Sequence, residues 1–306
     1  MVTATLLLPY ASRLAGEALS DEVARALGRA DRSAREPGQD AQLRRHFQLL
    51  PEPWPVAALT RQLDVGDAPG ASWVRADPAY VVPDMQGARL MAHGDMLKLD
   101  EDDVAALLPA LTPLFGEAGL LLDAPVPSRW YLRLAAEASL PVFDAPDDTL
   151  GDDLFEHLPA GETGRRWRGL LTETQVLLHQ HPWNRERTAR GQPAINSLWF
   201  WGAGIYPQAV NASHAHVRSR EPLLLALAKA SGIEANGERQ LDTLVDLRQL
   251  RSLAQFSTDV VAPLVAALRR GELDRLLLDF QDGVQFALQP RQRWRVWRKP
   301  LIRLDT

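Results

Sequence analysis

The stretch Glu173–Gly204 concentrates more chemistry-bearing side chains than any other part of the chain: His179, His181, Asn184, Arg185, Arg187, Arg190, Asn196, Trp199 and Trp201. Guanidinium groups such as Arg185, Arg187 and Arg190 can grip phosphate or carboxylate through paired N–H donors. Asn184 and Asn196 can fix a polar ligand or a loop backbone, and Gly202 and Gly204 permit close backbone approach at a strand end. The candidate site is therefore an anion or metabolite pocket built from His181, Asn184, Arg185, Arg187, Arg190, Asn196, Trp199 and Trp201. The competing reading is an irregular connection in which the same Asn and Arg side chains satisfy buried backbone groups.

The other constellations are thinner. His179 and His181 stand two apart, which on a helix points them in different directions and argues against shared metal ligation. His214 and His216 share a face if extended, yet no third ligand stands nearby. Acidic runs at Asp100–Asp103 and Asp147–Asp153 offer magnesium ligands, against the plainer reading of a helix start and a solvated loop. At the carboxyl end, Arg291, Arg293, Arg295, Arg298 and Lys299 interleave with Trp294 and Trp297. That patch suits nucleic acid or an acidic partner; the alternative is a terminal helix docking its tryptophans on the core. HExxH, GxSxG and GxxxxGK[ST] are all missing from the sequence.

These side chains need elements to hold them. Residues 2–8 read as a buried strand. Helices are expected at 20–30, 41–50, 56–63, 100–115, 163–181, 221–230, 241–250 and 257–270. Strands are expected at 73–76, 88–93, 120–123, 130–134 and 196–201. Asp31–Asp40 reads as a loop, residues 51–55 (PEPWP) as irregular chain, and Asp77-Pro78 as a turn. Leu276–Phe280 and Val284–Leu288 flank Gln281-Asp282-Gly283, a hairpin signal. Alternating strands and helices predict an α/β fold with a mixed sheet flanked by helices.

Composition bounds the function. The chain has 306 residues, 46% hydrophobic and 24% charged, enough for a substantial core. A formal net charge of -5 opposes a general grip on nucleic acid. With no cysteine, disulfides, thiolate metal sites and a Cys nucleophile are excluded. No export signal or membrane-length apolar run stands out, so a cytoplasmic location is expected.

Across Glu173–Gly204 the motif order is distinctive. Glu173, Gln175, Leu177, Leu178 and His179 are followed by His181, Pro182 and Asn184, then Arg187, then Gly191 and Pro193, then Asn196 to Gly204 (NSLWFWGAG). This pattern resembles the RpfE-type bacterial regulatory protein family, with Trp183 replacing a small aliphatic residue. It is also similar to a motif of the archaeal-type cofactor-independent phosphoglycerate mutases, members of the alkaline-phosphatase superfamily. The resemblance implies a reduced alkaline-phosphatase-like fold with a smaller inserted α+β part. It divides the chain at 1–70, 71–195 and 196–306, with Gly202–Gly204 returning to the main sheet. Those enzymes use two metal ions and a Ser nucleophile. Here Leu8-Pro9-Tyr10 follows the first strand where Asp-Gly is expected, and Gln281-Asp282-Gly283 stands where Asp-His is expected. Ser12 follows the first strand without metal ligands beside it. The expectation is a non-catalytic regulatory or ligand-sensing protein, with no cofactor and no metal. Its partner would be a small anionic metabolite or a regulatory protein, with neither membrane nor nucleic acid. The alternatives are a divergent metal-dependent phosphotransferase or phosphatase using Asp77, His93, Asp95, His214 or His216, and a scaffold binding through the basic carboxyl end.

Overall fold

Thr3–Leu8 forms the strand around which one half of the chain is built. Its side chains alternate, so Leu6 and Leu8 enter a core while Thr3 and Thr5 face the other way. In the computed structural model, which describes residues 2–16, 18–50, 54–85, 87–237 and 242–304, the elements run as follows. First come β1 (Thr3–Leu8), α1 (Asp21–Arg29), β2 (Asp31–Ala34), α2 (Gln39–Arg44) and β3 (Phe47–Leu50). The middle of the chain gives α3 (Val56–Asp64), β4 (Ser72–Asp84), β5 (Gly87–His93), α4 (Glu101–Glu117), β6 (Leu121–Val126), β7 (Arg129–Leu134), α5 (Pro146–Thr149), α6 (Gly161–Gln180), α7 (Pro182–Ala189) and β8 (Ser197–Ile205). The rest is β9 (Ala209–Ala212), β10 (His216–Arg218), α8 (Pro222–Ala230), β11 (Glu234–Ala235), β12 (Thr243–Asp246), α9 (Ala262–Arg270), β13 (Arg275–Phe280) and β14 (Val284–Leu288).

The chain divides into two compact units, 1–50 with 209–306 and 51–208. The expected division at 70 and 195 is shifted at both ends. α3 packs on β4 and β8 and so belongs to the middle unit. β8 pairs antiparallel with β4 from Ser72↔Ile205 to Ala79↔Ser197, so Gly202–Gly204 do not return to the main sheet.

The first unit is a mixed α/β layer. Its seven strands run β11-β10-β12-β1-β13-β14-β2. The first five are mutually parallel, and β14 runs antiparallel to both of its neighbours, β13 and β2. One face is apolar: Leu6, Leu8, Leu276, Leu278, Phe280 and Phe286 pack against Val23 and Leu27 of α1 and Val265 and Leu268 of α9. Each such side chain contributes roughly 1.5–3 kcal/mol on leaving water. The hairpin β13–β14 forms at the expected turn.

Three expectations here are corrected. The helix expected at 241–250 is strand β12, with residue 241 outside the described residues. β-branched Thr243 and Val245 sit in a parallel ladder beside β1, and tertiary pairing overrides the local helical pattern. The stretch 41–50 splits into α2 and β3, because β3 pairs with β9. Asp31–Ala34 is an exposed edge strand on β14 rather than loop. Of the 51–55 segment, residues 51–53 lie outside the described residues.

The second unit is an antiparallel sheet of β5, β4, β7, β6 and β8 covered by α4 and α6. Trp167, Leu170, Leu171, Thr174 and Leu178 are the buried stripe of α6, as the spacing predicts. Asp77-Pro78 lies within β4 instead of turning; β8 pairs alongside it. Pro109 and Pro113 sit inside α4, which continues to Glu117.

Candidate functional site

The central motif turns its polar atoms inward. His181 ends α6 and caps α7, its Nδ1 accepting from the Trp183 amide at 3.3 Å. Asn184 is buried; it donates to the Leu178 and Ile195 carbonyls and accepts from the Ile195 amide, each at 2.8 Å. Asn196 pairs with both the amide and the carbonyl of Val81 at 2.8 Å, stitching β8 to β4. Arg187 is fully buried and donates to Pro193 and Leu97 carbonyls and to Asp103. Trp199 donates to the Asp144 carbonyl at 3.0 Å, and Trp201 to Asp77 at 2.8 Å. Arg185 is exposed on α7, and Arg190 lies over Trp183 beside Glu186. The close approach that Gly202 and Gly204 allow is to Val56, Ala57 and Pro55 of the same unit. The motif thus serves packing at most of its positions, and Arg185 and Arg190 are the members left on the surface.

The remaining sequence candidates lie beside other charged or capping groups. Asp77 is held by Arg75 through both oxygens at 2.9 Å. His93 lies 3.4 Å from Asp147. Asp100 and Asp103 form a reciprocal capping box at the start of α4. In the acidic loop, Asp144 and Asp152 flank His157. His216 faces Glu234 at 3.2 Å. Among the described residues no terminal helix docks the carboxyl-terminal tryptophans. Pro290–Trp294 is one short 3-10 turn anchored by Gln292, and Trp294 and Trp297 are 68% and 75% exposed.

Parallel α/β sheets expose ligand sites at the carboxyl ends of their strands. In this unit that edge carries Leu8, Arg218, Asp246 and Phe280. Its carboxylates are already engaged. Asp246 accepts from Arg248 Nε at 2.8 Å and from Ser219 at 2.9 Å. Burial alone would raise its carboxyl, but the Arg248 contacts outweigh this and hold it below its ordinary value. Glu221 caps α8, accepting from the Leu223 and Leu224 amides. Asp282 accepts from the Ala11 and Val284 amides at 3.0 Å. Ser12 is exposed on a short 3-10 helix. Two bridging metal ions need several free Asp and His oxygens and nitrogens converging on one point. Among the described residues no group of three or more His, Asp or Glu side chains is so arranged. The residues present do not fit a two-metal centre.

A different cluster escapes sequence reasoning. On the face of the sheet opposite the apolar core, a groove of about 660 Å³ is lined by Thr3 and Thr5 of β1, Arg275 and Leu277 of β13, and Gln285 of β14. Arg35, Arg45, His46, Ser213, His214 and Asp242 complete it. A hydrogen-bonded chain runs along it. Arg45 donates to both oxygens of buried Asp279, at 3.0 and 2.8 Å. Asp279 Oδ2 lies 2.8 Å from His46 Nε2, and His46 Nδ1 lies 3.1 Å from His214 Nε2. His214 Nδ1 lies 3.2 Å from Asp242 Oδ1, which also accepts from Thr3 at 2.6 Å. Burial and the neighbouring His46 push the His214 imidazole below its ordinary value, against the pull of Asp242. The one sequence signal is His214, read with His216 as a pair lacking a third ligand. His46 and Asp279 are far apart in sequence, and β3 and β13 bring them together.

The described helices include none long and apolar enough to cross a membrane. No family model matches the chain. Over 63 residues it is 40% identical to a probable 2,3-bisphosphoglycerate-independent phosphoglycerate mutase of Geobacter sulfurreducens. It is 36% identical to the 2,3-bisphosphoglycerate-independent phosphoglycerate mutase of Methanosarcina acetivorans over the same length. Each match covers 21% of this chain and 16% of the relative, so the chain aligns with about a sixth of the relatives' length. Among solved structures, the cofactor-independent phosphoglycerate mutase of Thermoplasma acidophilum aligns with 94% of this chain and 89% of its own, at 15% identity and a TM-score of 0.43. The PH0037 protein of Pyrococcus horikoshii aligns with 94% of this chain and 87% of its own, at 11% identity and a TM-score of 0.44. The chain is distantly similar to cofactor-independent phosphoglycerate mutases.

Proposed function

We propose that this chain is a non-catalytic, ligand-sensing protein of the RpfE-type regulatory class, derived from an alkaline-phosphatase-like mutase scaffold that has lost its two-metal site. One observation carries the reading. At the carboxyl edge of the parallel strands, the carboxylates that could hold a metal are engaged elsewhere: Asp246 pairs with Arg248, Glu221 caps a helix and Asp282 binds an amide. An arginine bound to a carboxylate supplies the positive charge that a divalent ion would otherwise bring. The test is turnover: purified protein with manganese, magnesium or zinc, assayed on phosphoglycerate and on a chromogenic phosphomonoester. The reading expects no protein-dependent product, and metal-dependent turnover abolished by a single Asp or His substitution would overturn it.

A second reading, docking of a regulatory protein at the carboxyl end, is favoured by the exposure of Trp294 and Trp297 beside Arg291 and Arg293. Exposed aromatic and arginine side chains are the residue types that anchor protein interfaces. Replacing both tryptophans with serine while measuring partner retention checks it; unchanged retention would end it.

A further inference from the structure

The groove over β1 and β13 has a charge inventory that its hydrogen bonds fix. Asp279 accepts both N–H arms of Arg45, so His46 Nε2 donates to it in turn. Asp242 accepts from Thr3, so His214 Nδ1 donates to it in turn. The two remaining ring nitrogens, His46 Nδ1 and His214 Nε2, face each other at 3.1 Å. Two bare lone pairs at that distance would repel, so one proton lies between them. This tautomer assignment follows from the network. With that proton in place the pair holds three protons on four nitrogens and carries one positive charge.

The charges now sum simply. Arg45 offsets Asp279, and the shared proton offsets Asp242. Arg35 and Arg275, both exposed at the groove, are left over. They belong to different segments, the chain after β2 and the start of β13, and both line the same cavity. Thr3, Thr5, Ser213 and Gln285 add hydroxyl and amide groups around it. A cavity of about 660 Å³ is in the size range of small-molecule sites.

We propose that this groove is a binding site for a small doubly charged oxyanion, a phosphomonoester or a dicarboxylate. Arg35 and Arg275 grip the anion, and the proton shared by His46 and His214 keeps the floor from repelling it. The site lies on the sheet face and uses none of the groups at the carboxyl edge of the strands. It deepens the ligand-sensing reading by naming the ligand class, and the two fail separately: turnover tests that reading, equilibrium binding tests this one.

The proton makes the site pH-dependent, and the sign follows. Once the shared proton leaves, Asp242 is no longer offset and the groove loses one positive charge. Anion affinity therefore falls as pH rises, and binding takes up protons at pH values where the pair is partly deprotonated. The charged groups facing the pair are Asp279 and Arg275 from β13, Arg45 following α2, Arg35, and Asp242 preceding β12.

The experiment is isothermal titration of the full chain with inorganic phosphate, succinate and acetate between pH 5.5 and 8.5, in two buffers of different ionisation enthalpy. Phosphate or succinate is expected to bind one per chain, with acetate weaker; which dianion binds identifies the source of the ligand chemistry. Arg275→Gln and Arg35→Gln lie on the surface and leave the fold intact. Each should weaken binding about tenfold, the value of one lost charge-assisted contact. His214→Gln should flatten the pH dependence and abolish proton uptake. Absence of saturable dianion binding, or affinities unchanged in both arginine variants, would overturn the proposal.

Discussion

Arg187 and Asp103 form an ion pair that is almost wholly sealed from solvent, with side chains 0% and 2% exposed. The pair joins α7 to the first turn of α4, where Asp103 also accepts from Trp183 Nε1 at 2.6 Å. The guanidinium donates two further N–H groups to the Leu97 and Pro193 carbonyls. The conspicuous arginine of the central motif is therefore a structural bolt. Arg187→Ala leaves a buried carboxylate without its partner and should cost about 3–5 kcal/mol, measured by urea unfolding. Arg185→Ala, on the exposed side of the same helix, should change stability by no more than about 0.5 kcal/mol.

Acid should unfold the middle unit through its depressed carboxyls. Burial opposes ionisation of Asp103 and Asp64. For Asp103 the contacts of Trp183 and Arg187, and for Asp64 those of Arg129 and Tyr131, outweigh it and hold both carboxyls below the ordinary value of 3.8. A carboxyl lowered in the folded state stabilises the fold fully above its unfolded pKa, and that stability is lost as pH falls through the folded value. The contribution of these two carboxyls should be constant from pH 5 to 7, and the urea midpoint should drop below about pH 4. In Asp64→Asn the drop should be shallower, from a lower starting stability. An unchanged acid limb would remove these carboxyls from the explanation.

Gly202 binds β8 closely to α3. Its φ is +63°, and an added Cβ would lie 2.9 Å from Val56 Cβ. Gly202→Ala meets both backbone strain and a packed neighbour, so a loss of roughly 1–3 kcal/mol is expected on thermal or chemical unfolding. Gly191 also has a positive φ, but an added Cβ there meets nothing within 4 Å; Gly191→Ala should cost less.

The fold was legible where the hydrophobic period was clean. β1, α4, α6, α8 and the β13–β14 hairpin follow from alternating or helical spacing and from their turn residues. Thr243–Asp246 was not, because a short apolar run between polar neighbours has no period of its own and takes its form from β1. The central motif was conspicuous in sequence, yet its residue types cannot distinguish ligand donors from backbone donors; Asn184 and Asn196 do the latter. The groove, apart from His214, was illegible for the opposite reason. His46, His214, Asp242 and Asp279 are ordinary residues in separate segments, and only the pairing of β3 with β9 and of β13 with β1 assembles them.

Trp294 and Trp297 carry little of the fold's stability. Gln292 donates to Asp31 and to the Ala287 carbonyl at 3.0 Å, and buried Leu304 helps anchor the segment. Trp294→Ser with Trp297→Ser should leave the unfolding midpoint within about 0.5 kcal/mol of the parent. A larger loss would mean that the tryptophans pack on the protein.

The central proposal is that the carboxyl edge of the parallel sheet holds arginine and amide partners in place of a metal cage. Metal stoichiometry of the purified chain, dialysed against excess manganese and then zinc and measured by elemental analysis, tests it most directly. The account predicts less than one tightly held ion per chain and no change on Asp246→Asn or Asp282→Asn. Two ions per chain, lost on either substitution, would contradict it.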